Sequence, residues 1–430
     1  MTTAQQTRLD TVWQAIESAG SINAYVRQQL QQHGYLVERR PTDGMSKSEL
    51  DKYKKELKQE AAEQRRLKQE AWQAYKSKHI VHLGEGIYWS DDSSEDQWDT
   101  PNANKRLLAN QLPVITKVPQ LCEALNLTVS ELRRLCYQRE ASTYSHYTRF
   151  EIPKRSGGMR AIWAPLPTLK QAQHWILHEI LERLVVHGAA HGFLSGCSIA
   201  TNAAEHRNSQ LLVKLDIENF FPSISWKRVK GVFRKAGYPE QIATLLALLC
   251  TEAPREIVQD NGKTYYVALA ERCLPQGAPT SPALTNALCL RLDRRITGFA
   301  DKTGWRYTRY ADDLTFSFAA DNSQEADISR LLGTVKRILG EEGFNVNVKK
   351  THVIRQHQAQ QVTGLIVNGT QAPRVSRSLK RQMRAALHNL QQGKGLKEGE
   401  SLNRLKGYAA YIAMTERELG KTMLAQLAAF

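Results

Sequence analysis

The chain has 430 residues, of which 41% are hydrophobic and 24% charged, as in ordinary globular proteins. Fibrous, collagen-like and wholly disordered architectures are excluded by these proportions. Lysine and arginine number 59 against 43 aspartate and glutamate, which leaves a formal net charge of +16 at pH 7. A chain of this charge attracts polyanions, so nucleic acid is the first partner to consider.

Cysteine usage and hydropathy indicate a cytoplasmic protein. The six cysteines form no C-x-x-C pair, so neither a zinc site nor a disulfide framework is predicted. The longest apolar run, near Leu245 to Cys250, is far shorter than the roughly 20 residues of a membrane span. The first residues show no basic segment followed by an apolar one, so we expect neither export nor a membrane partner.

The first hundred residues are predicted to be a helical extension. Residues 1–40 contain two apolar stripes at helical spacing, which indicates a small helical pair. Residues 46–78 lack Gly and Pro and are rich in charge, which is typical of a solvated helix or short coiled coil. This helix either spaces two parts of the protein or binds a partner. Residues 90–99 form an acidic loop that marks a boundary.

Beyond the extension, the pattern indicates a mixed α+β arrangement. Residues 119–136 predict a helical hairpin, although a DNA-reading helix-turn-helix is an alternative. Residues 147–152 and 160–163 predict two strands around a basic glycine turn, where a phosphate backbone can be gripped. The following segments predict, in order, a strand, three helices and two strands: 211–217, 226–236, 239–250, 282–298, 305–310 and 314–318.

Three carboxylates accompany the predicted central strands. Asp216 lies at the end of a hydrophobic strand, and Asp312 and Asp313 lie in the turn between the last two strands. If these strands are neighbours, Asp216 and Asp312 meet at one sheet edge and can share two Mg²⁺ ions about 3.5 to 4 Å apart, which suits in-line phosphoryl transfer. An Asp-Asp turn by itself is more often an ordinary hairpin.

A rigid loop lies between these acids in the chain, and it favours the metal site over the ordinary hairpin. Residues 274–282 combine Pro and Gly and open a helix, so the backbone can approach a nucleotide and the helix N-terminus favours phosphate. The complete set of motifs resembles the palm motifs of reverse transcriptases over residues 147–411, in this order: Asp216 with Phe221, Gln276-Gly277, and Tyr310-Ala311-Asp312-Asp313.

The resemblance implies an α+β right-hand polymerase fold with fingers, a palm built on an antiparallel sheet, and a helical thumb. We expect the helical N-terminal extension over 1–100 and the N-terminal helices with the fingers over 101–210. The palm is expected over 211–369, with an insertion at 226–272. The thumb is expected over 370–430, where 11 Lys and Arg face 4 Asp and Glu.

The resemblance also implies roles for single residues. Asp216, Asp312 and Asp313 are expected to be the catalytic, metal-binding carboxylates of an RNA-directed DNA polymerase, with two Mg²⁺ ions or Mn²⁺ as the alternative. Phe221 matches an aromatic gate that packs under C2′ of the sugar and rejects ribose. Gln276 is expected to contact the incoming dNTP.

Basic residues are expected around the triphosphate. Lys350 matches a residue near the leaving pyrophosphate and is a candidate general acid, although a surface lysine at a strand end would look the same. Lys154 and Arg160 fall in the fingers strands that usually contact template and triphosphate.

Two short motifs narrow the resemblance to bacterial retron reverse transcriptases. Asn202-Ala203-Ala204-Glu205-His206 is similar to their Asn-Ala-x-x-His element, and Val362-Thr363-Gly364 to their Val-Thr-Gly element. We expect Asn202 and His206 to contact nucleic acid. One departure is Cys197, since relatives commonly carry arginine in the corresponding Gly-Arg-Ser.

Retron enzymes, by this resemblance, bind a structured noncoding RNA of their own locus and start DNA synthesis from a 2′-hydroxyl of a guanosine in it. The single-stranded DNA product stays branched to the RNA. Relatives act in phage defence with an effector protein, for which residues 1–80 are our candidate docking surface. A basic thumb face is expected to bind RNA by shape and backbone: Arg374, Arg377, Lys380, Arg381 and Arg384.

Two other functions remain open from the sequence. Another bacterial reverse transcriptase, defence-associated or maturase-like, would use a different template and primer. A non-catalytic RNA-binding scaffold would keep the fold alone, but it has no reason to keep three clustered acids that repel RNA.

Overall fold

A computed structural model describes residues 3–33, 40–87, 101–153, 157–319, 325–397 and 399–430. The chain divides into two compact units, Met1–His79 and Ile80–Phe430. No helix in these ranges is long and apolar enough to cross a membrane. The predicted acidic loop at 90–99 lies outside the described residues.

The first unit is helical, as predicted. It contains α1 (Thr3–Ser18), α2 (Ile22–Gln32) and α3 (Lys47–Lys76). Helix α3 begins with a capping box, in which the Ser46 hydroxyl accepts from the Glu49 N–H and the Glu49 carboxylate accepts from the Ser46 N–H. Helix α3 buries no side chain, so its surface is the solvated face that its charges indicate.

The second unit is mixed α+β, as the sequence indicates. Its elements up to the central strand are α4 (Ala103–Ala109), α5 (Val118–Leu125), α6 (Val129–Cys136), β1 (Ala141–Ser142), β2 (Tyr147–Pro153), β3 (Met159–Pro165), α7 (Pro167–Glu179), α8 (Ile199–Ala204) and β4 (Ser209–Asp216). The middle elements are α9 (Trp226–Ala236), α10 (Glu240–Cys250), β5 (Arg255–Asp260), β6 (Lys263–Ala268), α11 (Ser281–Leu288), α12 (Leu290–Lys302), β7 (Trp305–Tyr310) and β8 (Asp313–Ala319). The last are α13 (Ile328–Glu341), β9 (His352–Arg355), β10 (Gln361–Val362), β11 (Leu365–Ile366), α14 (Arg377–Gln391), α15 (Leu402–Ala413) and α16 (Arg417–Ala428).

The central sheet is antiparallel, with strand order β7-β8-β4-β9. Strand β4 has neighbours on both sides, and most of its side chains are buried on both faces, which is why it is a nearly continuous apolar run. The smaller sheets are β1-β6-β5, the β2-β3 hairpin and the β10-β11 pair. One hydrophobic core joins the central sheet to helices α4 to α7 and α9 to α13, and a second core joins helices α14 to α16 to α8 and Leu212.

The expected single helix over 282–298 is wrong. The structure has α11 and α12, separated at the buried residue Cys289, whose ψ is near 0°. Helix α11 packs against α9, whereas α12 packs against β7, so the break lets one segment serve two neighbours. The other predicted helices and strands of this region are confirmed to within two residues.

Candidate active site

The three predicted carboxylates lie together at one edge of the central sheet. Asp216 at the end of β4 is the cross-strand partner of Asp313 at the start of β8. The Ile217 N–H donates to the Asp312 carbonyl at 3.0 Å, which ties the β7-β8 turn to the end of β4. The turn is tight, because the buried residue Ala311 has a φ of 56°.

The two acids of the turn carry poorly balanced negative charge. Burial raises the pKa of the Asp312 carboxyl, and the neighbouring charge of Asp313 raises it further. Burial also raises the pKa of Asp313, an effect that the ammonium of Lys214 partly opposes. Within the described ranges neither acid has an ion-pair partner within 4.0 Å. A cation brought to this edge would relieve that repulsion.

Asp216 already faces a cation. The Lys350 Nζ lies 3.1 Å from Oδ1 and 2.9 Å from Oδ2 of Asp216, and this hydrogen bonding raises the pKa of Lys350. The Asn347 side-chain amide donates to Asp216 Oδ1 at 3.2 Å. In the described part of the chain no group of three or more His, Cys, Asp or Glu is arranged to hold a metal ion. The donor chemistry nevertheless fits a hard divalent cation, since carboxylate oxygens are the ligands that such cations prefer.

A second group of predicted residues lies around the loop after β6. The Trp163 N–H of β3 donates to the Gln276 carbonyl at 2.8 Å. Gly277 has a φ of 121°, and a Cβ there would lie 2.7 Å from the Trp163 carbonyl oxygen, so the close approach requires glycine. The structure therefore brings Gln276 to the strand that carries the exposed Arg160. Lys154 lies outside the described residues.

Phe221 follows β4 and is half-buried against Phe220, with ring centroids 5.6 Å apart. Phe220 in turn packs on Phe344 and is buried. The inner rings thus support Phe221 from below and leave part of it open to solvent.

Comparison with known proteins identifies the family. Residues 152–368 match the family model described as reverse transcriptase (RNA-dependent DNA polymerase). The chain is 48% identical over 425 residues to the Retron Mx162 reverse transcriptase of Myxococcus xanthus, covering 96% of this chain and 87% of that protein. The chain belongs to the bacterial retron reverse transcriptases. It is therefore an RNA-directed DNA polymerase with a right-hand polymerase fold, and it takes an RNA template.

Two further relatives support this assignment. The Retron Mx65 reverse transcriptase of Myxococcus xanthus is 40% identical over 71% of this chain and 70% of its own length. The Retron Ec86 reverse transcriptase of Escherichia coli is 30% identical over 73% of this chain and 89% of its own length. Reverse transcriptases as a family use a divalent metal.

In this retron reverse transcriptase the Asn-Ala-x-x-His element is buried. Asn202 and His206 both have 0% exposure. His206 Nδ1 lies 2.7 Å from the Ser317 hydroxyl and Nε2 lies 2.7 Å from the Thr308 hydroxyl, which itself donates to Asn202 Oδ1. Neither side chain reaches the surface, so Asn202 and His206 are not placed to contact nucleic acid directly as predicted. They connect α8 to strands β7 and β8.

The Val-Thr-Gly element lies against the other side of α8. The Thr363 hydroxyl donates to the Ile199 carbonyl at 3.1 Å, and Ala203 belongs to the core of helices α14 to α16. A Cβ on Gly364, whose φ is 88°, would lie 2.9 Å from the Tyr411 hydroxyl oxygen. The two family motifs therefore form one joint between the central sheet and the C-terminal helices, which we call the α8 joint: residues 199–206 with 362–364.

The predicted basic thumb residues do not all face solvent. Arg377, Arg381 and Arg384 are exposed and follow one another at helical spacing along α14. Lys380 is bound by the Glu416 carboxylate at 2.8 and 3.0 Å. Arg374 is half-buried and donates to Gln371. Three of the five thus present their charge to solvent.

Sequence reasoning missed a buried network behind the β7-β8 turn. Arg309, with 0% exposure, donates to both carboxylate oxygens of Asp293, to Asn286 Oδ1 and to the Ala311 carbonyl. In the alternating run of β7 the inward residues are Trp305, Tyr307 and Arg309. The sequence signal for this network is an arginine at an inward-facing position of a strand, because a buried guanidinium needs a carboxylate partner.

Proposed function

We propose that this enzyme adds deoxynucleotides at the sheet edge where Asp216, Asp312 and Asp313 meet, and that these three are its catalytic metal ligands. The observation that carries the proposal is the cross-strand pairing of Asp216 with Asp313, with Asp312 in the adjoining turn. Burial raises the pKa of both Asp312 and Asp313, so a divalent cation bound at this edge would stabilise their ionised carboxylates. The domain limits predicted above are part of the same proposal.

Two Mg²⁺ ions, with Mn²⁺ as the alternative, would supply activation of the primer hydroxyl and charge neutralisation at the leaving pyrophosphate. Asp216 would have to exchange part of its contact with Lys350 for the metal. The ammonium of Lys350 would then be available to the reacting phosphates and could donate a proton to pyrophosphate. Asn347, whose side-chain amide donates to Asp216 Oδ1, would keep the Asp216 carboxylate oriented.

We assign selection of the incoming nucleotide to the loop over residues 274–282 and to Phe221. Phe221, supported by Phe220, would pack under C2′ and exclude a ribose hydroxyl. Gln276 would contact the incoming dNTP, with Arg160 and Lys154 toward the triphosphate or template. We expect Phe221→Ala to raise ribonucleotide relative to deoxyribonucleotide incorporation by about 10-fold or more, measured as the ratio of the two kcat/KM values.

The proposed template is a structured noncoding RNA from the retron locus, copied in part into single-stranded DNA. Synthesis starts from an RNA 2′-hydroxyl, so the product is branched RNA-DNA. The exposed row Arg377, Arg381 and Arg384 would bind the RNA backbone. The retron names of the relatives support this reading. A role in phage defence with an effector protein docked on residues 1–80 belongs to the same proposal.

The test expresses the gene with its native flanking DNA and examines small nucleic acids before and after RNase treatment. A DNA that shortens but keeps a covalent RNA remnant is expected. Asp312→Asn with Asp313→Asn should abolish it, whereas Asp301→Asn, at an exposed aspartate in the last turn of α12, should not. The branched product with both aspartates neutralised would contradict the assigned site.

The competing functions give different results in this test. Primer extension on RNA without a branched product would favour another kind of bacterial reverse transcriptase. RNA binding with no polymerisation under any metal condition would favour the non-catalytic scaffold. Loss of residues 1–80 with effector association intact would remove the docking surface from the proposal.

A further inference from the structure

An exposed aromatic side chain lies beside the catalytic turn. Phe193 has 55% exposure, and its ring centroid is 6.2 Å from that of Tyr310, at an interplanar angle of 39°. Tyr310 is the last residue of β7 and the cross-strand partner of Asp313. An apolar ring exposed at this place has no contact within a core to explain it.

The backbone of Phe193 is held in an unfavourable conformation. Its φ is 60°, in the left-handed region that bulky residues rarely adopt. Such a conformation costs free energy, and it persists only where the surroundings impose it. Glycine would adopt it without that cost, so the phenylalanine is not there for the sake of the turn.

The segment before Phe193 imposes this backbone conformation, because it is hydrogen-bonded to β7 and to buried residues behind the β7-β8 turn. The Arg309 N–H donates to the Ala189 carbonyl at 2.7 Å and the His191 N–H donates to the Arg309 carbonyl at 2.9 Å, so this segment follows the open edge of β7. The buried Asn286 amide donates to the Gly192 carbonyl at 2.8 Å. The segment before Phe193 is therefore fixed on the same arginine that binds the Ala311 carbonyl.

Gly192 brings the segment into direct contact with the turn. A Cβ at this position would lie 2.8 Å from the Ala311 nitrogen, so another residue would push the two apart. Phe193 consequently has a set position relative to Asp312 and Asp313. A side chain fixed beside the turn can position a substrate that reacts at Asp312 and Asp313.

We infer that Phe193, together with Tyr310, forms a stacking platform for the terminal nucleotide of the primer strand. Bases and sugars offer flat and apolar faces, and aromatic side chains bind them with little dependence on sequence. The inference rests on the proposed function, since the primer end must reach the acids for its hydroxyl to react. Phe193 is assigned as a positioning residue that acts on nucleic acid, without a part in proton transfer.

Phe193→Gly separates this role from a structural one. Glycine relieves the left-handed backbone strain but increases the entropy of the unfolded chain, and these effects oppose each other, so the melting temperature should stay close to that of the wild type. The primer should bind about 5- to 10-fold more weakly, the lower part of the range for one base–aromatic stack. Phe193→Tyr should restore binding. The matched control is Leu108→Ala, which truncates an exposed apolar side chain on α4.

The measurement uses the full chain, an RNA template and a DNA primer with 2-aminopurine at its 3′ end. Fluorescence of the bound primer should be quenched in the wild type, Phe193→Tyr and Leu108→Ala, and should increase in Phe193→Gly. KM for primer-template should rise in Phe193→Gly, while kcat on saturated complex changes less. Equal quenching and equal KM in Phe193→Gly and wild type would overturn the inference, as would a lowered melting temperature that Phe193→Tyr does not restore.

Failure of the proposed function has a separate signature. If Asp312→Asn with Asp313→Asn still extends the primer, the acids are not the polymerisation site and the platform loses its basis. If those acids are essential and Phe193→Gly behaves as wild type, only the platform is refuted.

Discussion

The buried pair of Arg309 and Asp293 should be essential for stability. Both side chains have 0% exposure, and three Arg309 N–H contacts of 2.7 to 3.2 Å reach the Asp293 carboxylate. Asp293 also accepts from the Tyr307 hydroxyl at 2.9 Å. Asp293→Ala would leave a guanidinium buried without its carboxylate, which costs about 3 to 5 kcal/mol.

The assay is urea unfolding followed by circular dichroism. The control is Glu271→Ala, which breaks an exposed ion pair with Lys227 and should cost less than about 1 kcal/mol. Asp293→Leu combined with Arg309→Met should recover much of the stability, since replacing both partners removes the buried charge. That double variant should still lose activity, because Arg309 also donates to the Ala311 carbonyl in the turn that carries the proposed catalytic acids.

A value for Asp293→Ala within about 1 kcal/mol of wild type would refute this reasoning. It would mean that water or a rearranged side chain satisfies Arg309. Full activity in the double variant would show that the turn keeps its conformation without the arginine.

Three further predictions concern the same region. Gly192→Ala should lower kcat/KM by about 10-fold or more through displacement of the catalytic turn, whereas Gly188→Ala, with open space around it, should not; equal activities would contradict the steric argument. Burial lowers the pKa of His206 to about 3. Below about pH 6.5, therefore, the unfolded state binds a proton at His206 that the folded state does not bind. Stability should therefore fall as pH drops from 6.5 toward 3, by about 2 kcal/mol at pH 5, and His206→Gln should flatten that part of the pH profile; an unchanged slope would show that other groups carry it. Mg²⁺ should raise the melting temperature of the wild type more than that of Asp312→Asn, as measured by scanning calorimetry, and equal increases would remove Asp312 from the metal site.

The position of the acidic edge could be predicted because strand and turn patterns are local. Apolar runs that end on Asp216 or begin after Asp313 define both strands, and antiparallel pairing then brings their ends together. The contact between Lys350 and Asp216 could not be predicted in the same way. It depends on how the segment after α13 returns beside β4, which no local pattern specifies.

Other features were hidden because residue type pointed elsewhere. Asn202 and His206 were expected to contact nucleic acid because they match a family element, but they are buried, and their partners Thr308 and Ser317 lie more than a hundred residues away. Helical periodicity runs through Cys289 without interruption, so nothing in the sequence marks the break between α11 and α12. A φ of 60° at Phe193 contradicts the preference of its residue type.

The α8 joint has a consequence for engineering retrons with new RNA specificity. Exchanging only the C-terminal helices between two of these enzymes would set a foreign Val-Thr-Gly segment against the resident α8, whose opposite side is already bonded to β7 and β8. The two segments are more than 150 positions apart in the chain, but they pack together as one structural unit. A chimaera should therefore take residues 199–206 and everything from 362 onward from the same parent.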